Sequence, residues 1–348
     1  MRIVLVCQRY YPEIGGIETH AKEISERLVK KGHDVEVVCT DPTGKLKKNE
    51  VINGVRVTRF RSLAYKDAYF FAPQIYFYLR TRSYDCVHIH NYHAFPALLA
   101  ILACRDFIFT PHYHGGSYSK VKSLLHKPYR LLGGFIFKRA QKIVCVSKFE
   151  MTLLKKHFKL GVEKLVHIPN GLNNDEFRNI TPLKKDHKTI LYVGRLEKYK
   201  GVQHIISALT VLPGYRFEII GRGPYEKELR MLAEKLAVND RIDWLYDLDR
   251  KELLSHYKSA DVFVHLSRFE AYGITVAEAL ACGTPCIVAE GSALSDFIDG
   301  EGCAGVRYPI DIKALAGIIK SRKKITPREM PDWENVTSEL IKIYGDTR

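Results

Sequence analysis

The sequence predicts an α/β chain built from two domains, each a mostly parallel sheet covered by helices on both faces. Three observations predict it. The 348 residues exceed one ordinary core and suit two of about 150–180 residues each. Short apolar runs of strand length alternate with helical periods, the signature of a parallel sheet wrapped on both sides. The alternation pauses after Ile168-Pro-Asn-Gly171 and begins afresh at Thr189. The expected division is a domain at 1–170, a linker at 171–188, a second domain at 189–330 and a closing helix at 331–348.

In the first half, Ile3–Val6 reads as a buried strand, Ile17–Val29 as an amphipathic helix and Val35–Cys39 as the next strand. Asn53-Gly54 marks a turn before the strand Val55–Phe60. Strands follow at Cys86–Ile89, Phe107–Thr110 and Ile143–Val146, with helices at Pro73–Arg80, Ala94–Ala103 and Phe149–His157. The second half repeats the scheme with strands Thr189–Val193, Arg216–Ile220, Ile242–Leu245, Val262–Leu266 and Pro285–Ala289. Its helices fit Gly201–Leu209, Tyr225–Leu236, Arg250–Tyr257 and Thr275–Ala281. The tail from Pro331 to Tyr344 reads as a short helix whose Trp333 docks it on the first domain. Ligands of open parallel sheets bind beyond the carboxyl ends of the strands, and two such domains face each other across a cleft.

A formal charge of +15 is unevenly placed. Residues 1–170 hold 28 Lys/Arg against 13 Asp/Glu, whereas residues 171–348 hold 26 of each. That asymmetry implies an anionic partner for the first domain, either a phosphorylated acceptor or a membrane face. Ser119–Lys142 mixes cations with apolar residues in a way that suits peripheral attachment to an anionic bilayer. Its apolar members serve equally well as core. The eight cysteines fall inside apolar patterns without C-x-x-C or zinc-site spacing, as small core residues of a reducing cytosol do. The first apolar run is too short for a signal peptide, and nothing approaches the ~18 apolar residues of a membrane span. A cytoplasmic protein is expected.

Four constellations sit at predicted strand exits. Gly15 and Gly16 follow the first strand and open a helix whose N-terminus can face an anion. Neither G-x-G-x-x-G nor a Walker lysine is present, which disfavours a dinucleotide dehydrogenase or P-loop enzyme. Gly194-Arg195-Leu-Glu-Lys-Tyr-Lys200-Gly201 brings cations to the next such exit, and Gly221-Arg-Gly-Pro224 follows in the same manner. Glu270 and Glu278 bracket Gly273, after which Ile274 and Thr275 offer backbone N–H groups at a helix start. Acids that accept from hydroxyls beside an anion-binding helix mouth point to a sugar nucleotide. Finally, His112 and His114 follow one strand, and His88, His90 and His93 lie at the end of its predecessor. Such histidines donate hydrogen bonds or move protons near neutrality. None has H-E-x-x-H spacing, and no metal is expected.

Together these motifs resemble the retaining glycosyltransferases of family 4, over nearly the entire chain. Pro12-Glu-Ile-Gly-Gly16, Ile168-Pro-Asn-Gly171, Val193-Gly-Arg-Leu196 with Lys200-Gly201, and Glu270-Ala-Tyr-Gly273 through Glu278 carry the likeness. The resemblance implies the GT-B fold, two Rossmann-like domains facing across a cleft. It implies a nucleotide-diphosphate sugar, UDP- or GDP-linked, as donor substrate, and no cofactor. Arg195 and Lys200 would hold the diphosphate, Glu278 the ribose and Glu270 the donor-sugar hydroxyls. Gly273, Ile274 and Thr275 would offer backbone contacts, and Gly16 would approach from the other domain. His112 matches the family histidine near the reacting carbon, with His114 as the alternative. Tyr272 stands where Phe is usual, Leu266 where Pro is common, and Glu290 through Asp296 depart from a pattern of paired glycines. The implied reaction is metal-independent hexose transfer to a glycan, polyprenyl-phosphate-linked, phospholipid or otherwise phosphorylated acceptor. Transfer to a small soluble sugar or sugar phosphate is the competing reading. A basic nucleic-acid-binding protein is the alternative of another class, disfavoured because no aromatic-basic module is present.

Overall fold

Period-2 alternation builds the first layer. In strand β1 (Arg2–Val6), Ile3 and Leu5 enter one apolar cluster while Val4 and Val6 enter another on the opposite face. The computed structural model describes residues 1–65, 68–116 and 133–346. Within it β1 is joined by β2 (Asp34–Asp41), β3 (Asn49–Ile52), β4 (Val55–Arg61), β7 (Cys86–His90), β8 (Ile108–Thr110), β9 (Lys142–Cys145) and β10 (Leu165–His167). The sheet order is β10-β9-β8-β7-β1-β2-β4-β3. Every pairing is parallel except that of β3, which turns back on β4 at the edge. Asn53 and Gly54 take φ of 50° and 83° there, the left-handed pair that a tight two-residue hairpin requires. A separate hairpin joins β5 (Leu63–Tyr65) to β6 (Ala68–Phe71).

One face of this sheet is covered by the helix Gly16–Lys30 through Ala21, Ile24 and Leu28. The helix Trp333–Asp346 packs into the same cluster through Trp333, Val336 and Leu340. Met1–Gly171 and Pro331–Arg348 accordingly form one compact unit, and Leu172–Met330 the other. The chain returns to the first unit tightly: a Cβ on Gly171 would lie 2.5 Å from the Trp333 backbone nitrogen.

The second sheet is parallel throughout, in the order β13-β12-β11-β14-β15-β16. Its strands are β11 (Lys188–Val193), β12 (Tyr215–Ile220), β13 (Ile242–Leu245), β14 (Val262–His265), β15 (Cys286–Ala289) and β16 (Cys303–Val306). The stretch read as a linker differs from that expectation. Leu172 and Phe177 are buried in the second unit's core, so apolar burial fixes much of 171–188 to that unit. Strand order reverses between β1 and β7 in one sheet and between β11 and β14 in the other. Such reversals are where loops part and ligands enter.

Residues 117–132, most of the basic Ser119–Lys142 segment, lie outside the described residues. Of its remainder, Ile136 and Phe137 are buried core, and exposed Phe135 sits beneath the Arg139 guanidinium. Among the described residues no helix is long and apolar enough to cross a membrane. All eight cysteines are free thiols, and all but Cys104 are buried.

Candidate active site

The reversal between β11 and β14 gathers the second unit's polar residues. Backbone bonds carry the strand ladder past its formal ends: Gly194 N–H donates to Ile220 at 3.0 Å and Gly221 N–H to Leu245 at 3.1 Å. This close approach needs glycine. Gly194 and Gly221 hold φ of 149° and 137°, and a Cβ on Gly221 would lie 2.2 Å from the Gly194 carbonyl oxygen. Gly221→Ala is therefore expected to destabilise the fold by about 3 kcal/mol or more, backbone strain and overpacking each costing about 1–3. A urea unfolding midpoint unchanged from wild type would contradict that geometry.

Arg195 leaves β11 half-exposed, and its Nε meets Glu197 Oε1 at 3.1 Å. Lys200 follows on a short 3-10 turn and places Nζ on Glu270 Oε1. Only 15% and 18% of these two side chains are exposed. His265, the last residue of β14, bonds the same carboxylate oxygen through Nε2 at 2.9 Å. Its ring stacks on Tyr192 (centroids 5.5 Å apart) and Phe263, which fixes its direction. Burial pushes the Glu270 carboxyl up, but the Lys200 ammonium and the His265 hydrogen bond outweigh it and hold the group well below the usual carboxylate range. Burial likewise opposes the Lys200 charge, and Glu270 more than restores it. The pair is an anion and a cation at neutral pH.

Gly273, with φ of 117°, then turns the chain into the helix Ile274–Ala281, whose first turn has no side-chain cap. Its opening N–H groups are the unsatisfied donors to which anions bind. Glu278 lies one turn on, only 7% exposed. Arg250 Nη1 donates to its Oε1 at 2.5 Å and Tyr257 Oη to its Oε2 at 3.0 Å. Arg250 also reaches Glu176 at 2.8 Å. Burial acts against the Arg250 charge, but the Glu278 and Glu176 carboxylates raise its pKa above the ordinary arginine value.

In the first unit, Gly15 is extended (φ −176°), so no left-handed turn is made there. A Cβ there would lie 2.4 Å from the Glu18 carboxylate, the movable end of a flexible side chain. The helix begins at Gly16, without a side-chain cap. His112 follows β8 with φ of 49° and is buried. Its ring lies 5.2 Å from His20 and 5.9 Å from His90. His88 is buried beside them, whereas His93 and His114 pair separately at 5.3 Å. Burial holds His20 neutral, its pKa lowered to about 4, and pushes His90 and His112 well down too. Glu150 fixes this loop by accepting from the backbone N–H groups of Tyr113 (2.5 Å) and Val146 (2.7 Å).

Two family models divide the chain between them. "Glycosyltransferase Family 4" matches residues 14–176, and "Glycosyl transferases group 1" matches 173–327. The chain is a family 4-type glycosyltransferase of the GT-B fold. An uncharacterized glycosyltransferase of Methanocaldococcus jannaschii is 28% identical over 99% of this chain and 98% of its own length. The alpha-monoglucosyldiacylglycerol synthase of Streptococcus pneumoniae is 26% identical over 94% and 79%. Sucrose-phosphate synthase of Thermosynechococcus elongatus shares the fold with a TM-score of 0.83 at 19% identity, covering 99% of this chain and 98% of that one.

Of the residues picked out by sequence, the glycosyltransferase brings Lys200 and Glu270 into direct contact and sets Gly273, Ile274, Thr275 and Glu278 in the helix that follows. Arg195 and Gly221 leave the neighbouring strands β11 and β12. Gly15, Gly16 and His112 belong to the first unit. Sequence reasoning missed His265 and Arg250, the partners of the two acids. His265 had one visible signal, an imidazole in an otherwise apolar strand five residues before Glu270. Arg250 had none, being 28 residues from Glu278.

Proposed function

We propose that this glycosyltransferase moves a hexose from a UDP- or GDP-linked donor to a glycan, lipid-linked or phosphorylated acceptor, with retention and without a divalent metal at the diphosphate. The contact of Lys200 with Glu270, beside the uncapped helix at Ile274, is the observation that carries this reading. An ammonium has three donors. With one on Glu270, the others are available to phosphate oxygens as the anomeric C–O bond breaks and charge builds on the leaving diphosphate. Arg195, whose only ion pair among the described residues is with Glu197, adds a mobile second cation. Fixed donors aimed at developing charge are the leading source of rate in such transfers. Glu270 accepts from donor-sugar hydroxyls. Glu278 has acceptor capacity left on both oxygens for ribose hydroxyls.

The acceptor hydroxyl attacks the same face, and its proton passes to the departing phosphate oxygen. His112 is assigned to the acceptor-side unit, near the transferred sugar. Lipid-linked acceptors are favoured by the basic first half and by the name of the Streptococcus relative. The family's nucleotide-sugar use supplies the donor class. Nucleotide diphosphate release from a panel of UDP- and GDP-sugars, with and without polyprenyl-phosphate, diacylglycerol and glycan acceptors, tests the assignment. Release stimulated by none of the acceptors would defeat it, as would activity lost in EDTA and restored by Mg2+. Arg195→Ala is expected to raise donor KM about tenfold or more, the loss of one charge-assisted contact of about 1.5–3 kcal/mol, with no change in melting temperature because the side chain is exposed. An unaltered KM would remove Arg195 from the donor site.

A further inference from the structure

Three buried imidazoles of the first unit converge without hydrogen-bond partners at the centre. His20 projects from the helix Gly16–Lys30, His90 ends β7 and His112 follows β8. Each offers a ring nitrogen, and the three nitrogens lie within 4.8 Å of one another. His20 Nε2, His112 Nε2 and both nitrogens of His90 are buried with no partner. Their neighbour His88 is different. Its Nδ1 meets the Tyr344 hydroxyl and its Nε2 meets Thr110 Oγ1, each at 2.7 Å. The packing thus satisfies one histidine fully and leaves three aimed at a common point.

We propose that His20, His90 and His112 form a binding site for a divalent first-row transition ion, zinc foremost. Three imidazoles are a borderline-soft donor set that suits Zn2+, Cu2+ or Ni2+, whereas Mg2+ and Ca2+ take oxygen ligands. His20 is already held as a ligand is held. The Asn170 amide oxygen lies 2.8 Å from Nδ1, which makes that nitrogen the N–H donor and directs the Nε2 lone pair into the cluster. With tetrahedral zinc–nitrogen bonds of about 2.0–2.1 Å, ring rotations closing the three nitrogens by up to about 1.5 Å complete the set. Three protein ligands leave a fourth position for water or an anion. One ion would satisfy three of the four orphaned nitrogens, one from each ring. The proposal stands on this geometry: it uses none of the donor contacts assigned to the second unit, and it takes His112 as a ligand in place of the sugar contact assigned to it above.

The test uses the full chain stripped by a chelator and titrated with Co2+, whose visible d–d bands report four-coordination. One Co2+ per chain, displaced by Zn2+, is expected. His20→Gln and His90→Gln should each weaken binding by about 100-fold, and Asn170→Ala, which removes no ligand, by about 10–100-fold. Added Zn2+ should also raise the wild-type melting temperature, reversibly with chelator, a readout that survives if a histidine variant fails to fold. Absence of both the cobalt bands and the thermal shift would overturn the proposal. So would bands of equal strength in both histidine variants, which would place the ion on other histidines.

Discussion

Glu270→Gln is expected to lower kcat/KM by about 10²–10³-fold, the usual cost of removing one group that acts on transition-state charge. Glutamine keeps the shape but not the charge. The carboxylate oxygen that now accepts from both Lys200 and His265 becomes a neutral amide oxygen. Lys200 then loses the anion that positions its ammonium, and the donor sugar loses the carboxylate acceptor proposed for it. The loss should fall on kcat more than on donor KM, because the ribose contact proposed for Glu278 is untouched. Steady-state nucleotide release with a melting curve as the folding control decides it. A loss under tenfold would show that Glu270 serves packing alone.

Lys200→Met carries the second large effect, on stability as well as rate. Methionine fills the volume but leaves the Glu270 carboxylate mostly buried with only His265, and breaking such a pair costs about 3–5 kcal/mol. The sign of the pH dependence follows from Glu270. Its folded pKa is depressed, so the pair's contribution is complete above the unfolded carboxyl value, about 4.3, and is lost as pH falls toward the folded one. Wild type and variant should therefore differ most in melting temperature at pH 7, and the gap should narrow as pH drops below about 5. Transfer should fall by about 10²–10³-fold. A gap that stays constant as pH falls from 7 to 3 would mean that the two side chains are not energetically coupled.

Legibility followed burial. The central strands were plain because Ile3–Val6, Ile190–Tyr192 and Val262–Val264 are covered on both faces and read as continuous apolar runs. The strands that escaped notice are peripheral. Asn49–Ile52 is a half-exposed edge, Leu165–His167 spans three residues, and Cys303–Val306 is built from Cys-Ala-Gly-Val, with little β-branched character. The helix Ile312–Ser321 was also passed over, although Asp311 caps it clearly. At the site, the acids and cations were legible because each follows a strong strand at short range. Their partners were not, since Arg250 meets Glu278 only through tertiary folding. The histidines show the same limit. His90 and His112 stood out at strand ends, while His20 sat unremarked on a helix face whose inward direction only the packed structure reveals.

The return of Trp333–Asp346 to the first unit sets an order on biosynthesis. A ribosome emits Leu172–Met330 as one continuous stretch, able to collapse locally, whereas the earlier-made portion must wait for Trp333, Val336 and Leu340 to complete its apolar cluster. Maturation thus ends on the half made first, and a nascent chain stalled before Trp333 would present chaperones with an unclosed seam.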